Sequence, residues 1–411
     1  MRGHIRKRGD PGSYEYIVDV GMAVAQRCSV CGRHFWLERK PKEHCPNCGG
    51  ELSDSEERRR KTQAGFVSRK EAETAMNKVM TAVAEQSYVV TTRISLREFL
   101  LKEWLPAIKG TLRPTTYASY EMHVQGHIIP ALGALPLSKL TAPAINAFYA
   151  SLLENGRTNG HGGLSPATVR RIHATLHRAG RDAVRWQRLA VNPVSSADPP
   201  RGQSKVRDLP AWNATQLAGF LSSVSADRLS ALWRLMAMTG CRRGEALGLR
   251  WDDLDLEATT ITIRRALVPL GGKVEVSEPK TVRGRRRIAL DPLTLQALKD
   301  HAGRQADEQS ACENWSETGY IFTTADGLPL DPHRISKTFE HHLRAAALPR
   351  IPLHGLRHTY ATLALSSGVN PRIVSGRLGH STVALTLDIY SHVLPQQDQD
   401  AADRIAALIE F

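Results

Sequence analysis

A segment near the C-terminus, residues 354–390, holds the side chains with the greatest potential for chemistry. His354 and Arg357 are three positions apart, so on a helix they would lie on one face, about one turn from each other. Tyr390 follows His380 by ten positions, enough to return its hydroxyl to the same place. A guanidinium clamps anionic oxygens, an imidazole moves protons, and a phenol can be a covalent nucleophile. Together these groups suit attack on a phosphodiester.

Two basic residues upstream extend this set. Arg242 follows a Thr-Gly turn at the predicted start of a helix, and Lys280 lies between two predicted strands. The ordered set of Arg, Lys, His-x-x-Arg, Gly-His and Tyr resembles the signature of the tyrosine recombinase, or phage integrase, family. The resemblance implies a site-specific DNA recombinase, an integrase that cleaves and rejoins DNA through a 3′-phosphotyrosine intermediate and so integrates or excises a phage or mobile element.

The resemblance also implies a role for each side chain. Tyr390 would be the nucleophile, and it needs help because a phenol with a pKa of about 10 is only roughly 0.1% ionised at neutral pH. The other five residues would stabilise charge or move a proton: Arg242 and Arg357 at the phosphate oxygens, Lys280 at the leaving 5′ oxygen, His354 at the tyrosine proton and His380 at a phosphate oxygen. We expect no catalytic metal and no ATP, because the guanidiniums supply the positive charge and the phosphotyrosine keeps the bond energy.

Several neighbouring residues have structural interpretations instead. Glu245 is expected to be a structural partner of an arginine, His358 to pack or cap, and Tyr360 to belong to the core. Taken alone, His380 would more often be a buried structural histidine, and only its spacing to the tyrosine favours a functional one. The arginines at 283 and 285–287 are expected either to touch the DNA backbone or to face water.

Four of the six cysteines form two closely spaced pairs. Cys28 and Cys31 make the first pair, and Cys45 and Cys48 follow after thirteen residues. Two such knuckles can complete a tetrahedron of thiolates, which predicts a zinc ribbon at about residues 26–50. Four thiolates leave no open position for water, so the zinc would be structural. A redox pair or free thiols are the alternatives.

Composition limits the classes of protein that this chain can belong to. A formal net charge of +14 favours a polyanionic partner such as double-stranded DNA, although a merely basic soluble protein would share it. The chain has no apolar run of about 18 residues and no signal-peptide core after its basic first residues. We therefore expect no membrane association and a bacterial cytoplasmic, nucleoid-associated protein.

Three domains are predicted. Residues 1–87 resemble an arm-type DNA-binding module of α+β structure into which the zinc ribbon is inserted. Residues 93–194 read as about four helices and resemble the SAM-like core-binding domain of the family. Residues 208–411 would form the catalytic domain, mainly α with a small antiparallel β-sheet. The fold class is thus multidomain and mainly α.

Local patterns place individual elements within these domains. A strand is predicted at 14–20, and a capping box at Ser68 predicts a helix through about residue 84. A helix pair is predicted at 229–249. Three strands are expected to form one sheet, with Lys280 in the turn between the second and third: 260–264, 274–276 and 287–290. The tail, 401–411, predicts a helix that docks on a neighbouring protomer or on its own subunit.

The family resemblance also implies binding partners, and two alternative functions remain beside it. Its active assemblies are homotetramers on two DNA duplexes that carry core and arm sites, with an accessory DNA-bending or directionality factor as a further candidate. A type IB topoisomerase-like enzyme shares the catalytic domain and is the alternative function, but the arm-type N-terminus argues for a recombinase. A DNA-binding regulator with an inactive site is the alternative from a different class.

Overall fold

The structure is a computed structural model, and it describes residues 3–9, 13–36, 42–85, 94–158, 160–201, 210–278, 284–380, 382–390 and 406–407. The chain divides into two compact units, Met1–Gln203 and Ser204–Phe411. Among the described residues, no helix combines the length and apolar character needed to cross a membrane.

The first unit begins with a four-stranded antiparallel sheet built around one long central strand. Its strands are β1 (Gly3–Arg8), β2 (Ser13–Cys28), β3 (His34–Trp36) and β4 (Leu52–Phe66). Strand β2 pairs with β4 along its length, while β1 and β3 share its other edge. The sixteen residues of β2 span roughly 50 Å at the usual rise per residue, so the strand predicted at 14–20 is present but extends much further.

A helix, α1 (Arg69–Ala84), packs on this sheet. It begins where the sequence predicts. The Ser68 hydroxyl accepts a hydrogen bond from Glu71 N at 3.1 Å, and the Glu71 carboxylate accepts one from Val67 N at 3.1 Å. These bonds satisfy backbone donors that the first turn of a helix leaves without partners. The helix predicted from the Ser68 cap is therefore confirmed.

Helices around one apolar core complete the first unit. They are α2 (Leu96–Glu98), α3 (Leu105–Lys109), α4 (Pro114–His123), α5 (Ile129–Leu132), α6 (Ala142–Asn155) and α7 (Pro166–Arg185). π-helical turns at Phe99–Trp104 and Val124–Ile128 join α2 to α3 and α4 to α5. Residues 96–109 and 114–132 thus each form one longer helix with a wider turn inside it.

Helix α7 is tied into this bundle by buried polar contacts. The Trp104 indole donates to Asp182 Oδ2 at 2.9 Å inside the core. Gly180 lets Asn192 approach the helix, because an added Cβ would lie 2.2 Å from Asn192 Oδ1. The Asn192 amide donates to the carbonyl oxygen of His177 at 3.1 Å. These contacts leave the arginine-rich side of α7 exposed to solvent.

The second unit is mainly helical and has its own core, in which Trp212, Phe220, Trp233 and Phe339 pack together. Its helices are α8 (Ala214–Ser223), α9 (Ser230–Thr239), α10 (Arg243–Leu247), α11 (Pro292–Ala311), α12 (Pro332–Ala345), α13 (Gly355–Ser366), α14 (Pro371–Leu378) and α15 (Val383–Tyr390). Helices α9 and α10 confirm the pair predicted at 229–249.

The described strands of this unit form two small antiparallel sheets, so the prediction of one sheet is wrong. One sheet has the order β5–β6–β9, with β5 (Leu254–Asp255), β6 (Thr260–Ile263) and β9 (Arg286–Ala289). The other is a hairpin of β7 (Ala266–Leu270) and β8 (Lys273–Ser277). Gly271 and Gly272 make its two-residue turn with φ values of 57° and 78°, a conformation that glycine adopts without strain. This local turn pairs 274–276 with β7 rather than with β9.

Two predictions fall largely on parts of the chain that the structure does not describe. Lys280 lies between β8 and β9, outside the described residues. Of the helix predicted at 401–411, only residues 406 and 407 are described, and both are helical.

Candidate active site and cysteine cluster

Arg242 lies at the turn between α9 and α10. Helix α9 ends at Gly240, whose φ of 62° and close packing exclude a larger residue, since an added Cβ would lie 2.6 Å from Leu378 Cδ2. Two bonds to Glu245 then orient Arg242: its backbone N donates to Oε2 at 2.9 Å and its Nη1 to Oε1 at 2.8 Å. The Arg242 side chain stays 44% exposed, so its guanidinium can reach a ligand. The prediction that Glu245 is a structural partner of an arginine is confirmed.

Arg357 is a buried residue that connects two turns of the candidate site. It lies in the first turn of α13 and is 3% exposed. Its Nη1 donates to the carbonyl oxygens of Gly240 at 2.9 Å and Leu378 at 2.8 Å. Those carbonyls precede Arg242 and His380 by two residues each, so one guanidinium holds together the two turns that carry them.

His354 immediately precedes α13, one turn before Arg357, as the sequence predicts. Its ring packs edge-on against His358 with centroids 4.9 Å apart, which confirms a packing role for His358. Loss of water around the ring lowers the pKa of His354 to about 4, with further lowering from the charges of His358, Arg357 and Arg242. The imidazole is therefore neutral at neutral pH and able to accept a proton.

His380 follows α14 and is 7% exposed. Gly379, with a φ of 68°, turns the chain so that His380 N donates to Ser375 O at 3.1 Å. Burial lowers the pKa of His380 to about 4, and the charges of Arg357 and Arg242 lower it further. Its Nδ1 is 2.7 Å from the hydroxyl of Thr386, which is fully buried on α15.

Tyr390 is the last residue of α15, four positions after Thr386. Its side chain is outside the described part of the structure. The described portion of the predicted set, namely Arg242, His354, Arg357 and His380, lies at one place where α10, α13 and the end of α14 meet.

Two residues that sequence reasoning did not assign to the site belong to its framework. Thr386 gives no sequence signal beyond its spacing. Arg286 was expected to contact DNA or face water, and that is wrong because its side chain is only 6% exposed. Its Nη2 donates to Glu245 Oε2 at 2.8 Å. Burial acts to raise the pKa of the Glu245 carboxyl, but hydrogen bonds and charges from Arg286 and Arg242 outweigh it and leave that pKa below its usual range.

The four predicted cysteine ligands form a compact cluster at the far end of β2 and β4. The sulfur atoms of Cys28, Cys31, Cys45 and Cys48 all lie within 4.8 Å of one another. Backbone N–H groups of Cys31 and Val30 point at Cys28 Sγ at 3.4 Å, and these bonds lower the pKa of Cys28 to about 6. Four sulfurs at this separation could hold a metal ion.

Known proteins match both units. The family model described as phage integrase family matches residues 208–397, and the phage integrase N-terminal SAM-like domain matches 96–153. The chain is 28% identical over 357 residues to a XerC-like tyrosine recombinase of Caldanaerobacter subterraneus, covering 82% of this chain and 89% of that protein. The structure resembles a Tn1549 transposon integrase in complex with a circular-intermediate DNA, with a TM-score of 0.62, 20% identity and coverage of 76% and 99%. It also resembles a lambda integrase tetramer bound to a Holliday junction, with a TM-score of 0.55, 16% identity and coverage of 84% and 90%.

The chain belongs to the phage integrase family of tyrosine recombinases. It is a tyrosine-type site-specific recombinase, as the sequence predicts, and the topoisomerase alternative is not favoured. The predicted fold class, multidomain and mainly helical with a β-rich N-terminal region, is confirmed, with small antiparallel sheets where one sheet was predicted for the catalytic domain.

Proposed function

We propose that this recombinase cleaves DNA by attack of Tyr390 on a phosphodiester and rejoins it through a 3′-phosphotyrosine, integrating or excising a mobile element. The observation that carries the proposal is the double hydrogen bond of Arg357 to Gly240 and Leu378. This contact joins the turns that carry Arg242 and His380, and it supports a site in which both arginines and two neutral imidazoles act on one phosphate.

The proposed chemistry needs positive charge at the non-bridging oxygens of the phosphate. Arg242 has a guanidinium that is partly open to solvent, and Arg357 provides a second charge beneath it. Because they are fixed by backbone carbonyls and Glu245 before DNA arrives, little reorganisation is required in the transition state. This arrangement needs neither a catalytic metal nor ATP.

Proton transfers are assigned from the state of the two imidazoles. His354 is neutral and partly exposed, which suits a base that receives the tyrosine proton. His380 can donate from Nε2 to a phosphate oxygen if its Nδ1 accepts the Thr386 hydroxyl proton. Lys280 would protonate the leaving 5′ oxygen.

DNA would be held by all three proposed domains, 1–87, 93–194 and 208–411. The exposed arginines of α7 suit the phosphate backbone of a core site, and the N-terminal sheet, whose strand β4 carries the basic run 58–61, suits an arm site. The lambda integrase relative is a tetramer on a Holliday junction, which supports a homotetramer on paired DNA sites here. An accessory bending or directionality factor would act with it in the bacterial cytoplasm, at the nucleoid.

The four cysteines would hold one structural zinc ion. Zinc is favoured by the all-sulfur ligand set and by the close approach of the four sulfur atoms. The ion would close the tip of the β2–β4 ribbon, where the described residues contribute to none of the hydrophobic core clusters, and would take no part in cleavage.

A nicked duplex that traps the cleaved state tests this function. The duplex site is first found by selecting, from random DNA, the sequences that the full-length chain binds. The parent chain should form a covalent adduct on the nicked site and recombine two intact sites. Strand exchange without an adduct would contradict the mechanism, and relaxation of supercoils without strand exchange would contradict the recombinase assignment.

A further inference from the structure

We propose that Arg286 is a positioning residue of the recombinase, which sets the distance between the Arg242 guanidinium and the turn that carries His380. This inference rests on the proposed function. Arg286 lies on β9, and its side chain is buried between the α10 turn and the end of α14. It contacts neither the proposed phosphate site nor solvent, so its effect on the reaction would pass through other residues.

The first connection runs through Glu245 to Arg242. Arg286 Nη2 and the backbone N of Arg242 share Glu245 Oε2, at 2.8 and 2.9 Å, while Arg242 Nη1 takes Oε1 at 2.8 Å. Both carboxylate oxygens are thereby committed, and Glu245 cannot rotate without breaking a charged hydrogen bond. Arg286 therefore fixes the surface against which the Arg242 guanidinium rests.

The second connection runs to the turn before His380. Arg286 Nε donates to the carbonyl oxygen of Arg377 at 2.6 Å. The same guanidinium packs under Gly379, where an added Cβ would lie 2.9 Å from Arg286 Nη1. Arg377 in turn donates from Nη2 to Ala289 O on β9 at 3.1 Å, so strand and helix end are joined in both directions. One side chain thus holds two catalytic turns in register.

Arg286 also sets the net charge of the group that it forms with Glu245 and Arg242. Glu245 is 7% exposed and ionised, and it lies between two permanent cations. The three groups together carry one net positive charge. Without Arg286, Arg242 would be the partner of an otherwise buried carboxylate, and the pair would be neutral. The charge offered to a phosphate would then fall although Arg242 itself is intact.

The test compares full-length variants with a matched structural arginine elsewhere in the unit. Arg228 also pairs with a carboxylate, since its Nε and Nη2 donate to the two oxygens of Glu308 at 2.5 Å each, and its Nη1 donates to Thr323 O at 2.6 Å. Arg228→Met reports what the loss of an arginine–carboxylate pair does to folding alone. Arg286→Lys keeps the charge but loses the planar fork, and Arg286→Met/Glu245→Gln removes the pair without leaving a buried charge.

The readout is the single-turnover rate of adduct formation on a nicked site at saturating protein, together with DNA affinity and melting temperature. Both Arg286 variants should melt as folded proteins and bind within about 3-fold of the parent, but cleave at least about 10-fold more slowly, since positioning acts on the chemical step. Arg228→Met should cleave at the parent rate per bound complex. A double-mutant cycle with Arg242→Lys should show that adding Arg286→Lys costs much less than it does alone.

Three results would overturn the inference: parent-like cleavage by the folded Arg286 variants, additive losses in the cycle, or loss of the folded state in every Arg286 variant while Arg228→Met folds. If the parent chain itself formed no adduct, the proposed function would fail instead, and the two failures are thereby distinguishable.

Discussion

The hydroxyl of Thr386 lies 2.7 Å from Nδ1 of His380, and both residues are buried. This contact connects α15, the helix that ends in Tyr390, to the turn that follows α14. The hydroxyl proton decides which nitrogen of the neutral imidazole carries hydrogen. The contact therefore holds α15 against the turn that carries His380. It also determines which ring nitrogen of His380 can donate a hydrogen bond to a ligand.

Replacing this hydroxyl tests its role. Thr386→Val keeps the branched shape but leaves His380 Nδ1 without its partner, so we expect adduct formation to slow by about 10-fold or more with DNA affinity little changed. Ser310→Ala, which removes an exposed hydroxyl that donates to Ala306 O within α11, is the control and should cleave normally. Equal rates for parent and Thr386→Val would show that the contact has no part in the reaction.

Stability should depend on pH through His380. Its pKa is about 4 in the folded chain and near the ordinary 6.5 when unfolded, so between those values the unfolded chain binds more protons. Its contribution to stability is complete above about pH 6.5 and is lost as pH falls towards 4. Urea unfolding at pH 7.0 and 5.0 should show a larger loss in the parent than in His380→Gln. A loss of the same size in both would contradict the assignment.

Two glycines of the same helix end make a matched pair. Gly379→Ala places a Cβ against Arg286 at a φ of 68°, and should destabilise the chain by about 1 kcal/mol or more and slow cleavage. Gly376→Ala, in the open on α14, should stabilise it by about 0.5–1 kcal/mol and leave cleavage unchanged. Chemical denaturation and the nicked-site assay measure both. Indistinguishable behaviour would mean that Gly379 is not constrained as described.

Metal content tests the cysteine cluster. We expect about one zinc ion per chain, because four thiolates saturate a tetrahedral site. Cys45→Ser should lose the metal, unfold part of residues 1–85 and weaken arm-site binding, with core-site cleavage largely intact. Cys312→Ser, a cysteine outside the cluster, should keep the metal. Elemental analysis and limited proteolysis provide the readout, and a metal-free parent with a fully protected N-terminal region would refute the zinc proposal.

Much of this arrangement could be predicted because the relevant signals are local. Thr-Gly before Arg242 and Gly before His380 mark the two turns, and helical spacing relates His354 to Arg357. The hairpin turn at 271–272 also has a local signal, a Gly-Gly pair between apolar strands, and this signal favours pairing of 274–276 with β7 over the single sheet predicted above.

The burial of Arg286 could not be predicted in the same way. It lies in a run of arginines that is typical of a DNA-facing surface, and only the fold separates it from Arg287, which is exposed and pairs with Asp255. The partnership of His380 with Thr386 depends equally on how α15 packs against α14, since threonine is common at such positions. Sequence patterns thus do not predict side-chain contacts between segments that are distant in the chain.

The most direct measurement of the central claim is the identity of the residue joined to DNA. After reaction with a nicked site and digestion, mass spectrometry should find a nucleotide on the peptide that contains Tyr390. The Tyr390→Phe chain should bind the same site with unchanged affinity and yield no adduct. A covalent adduct formed by the Tyr390→Phe chain, or one mapped to another residue of the parent, would contradict the account.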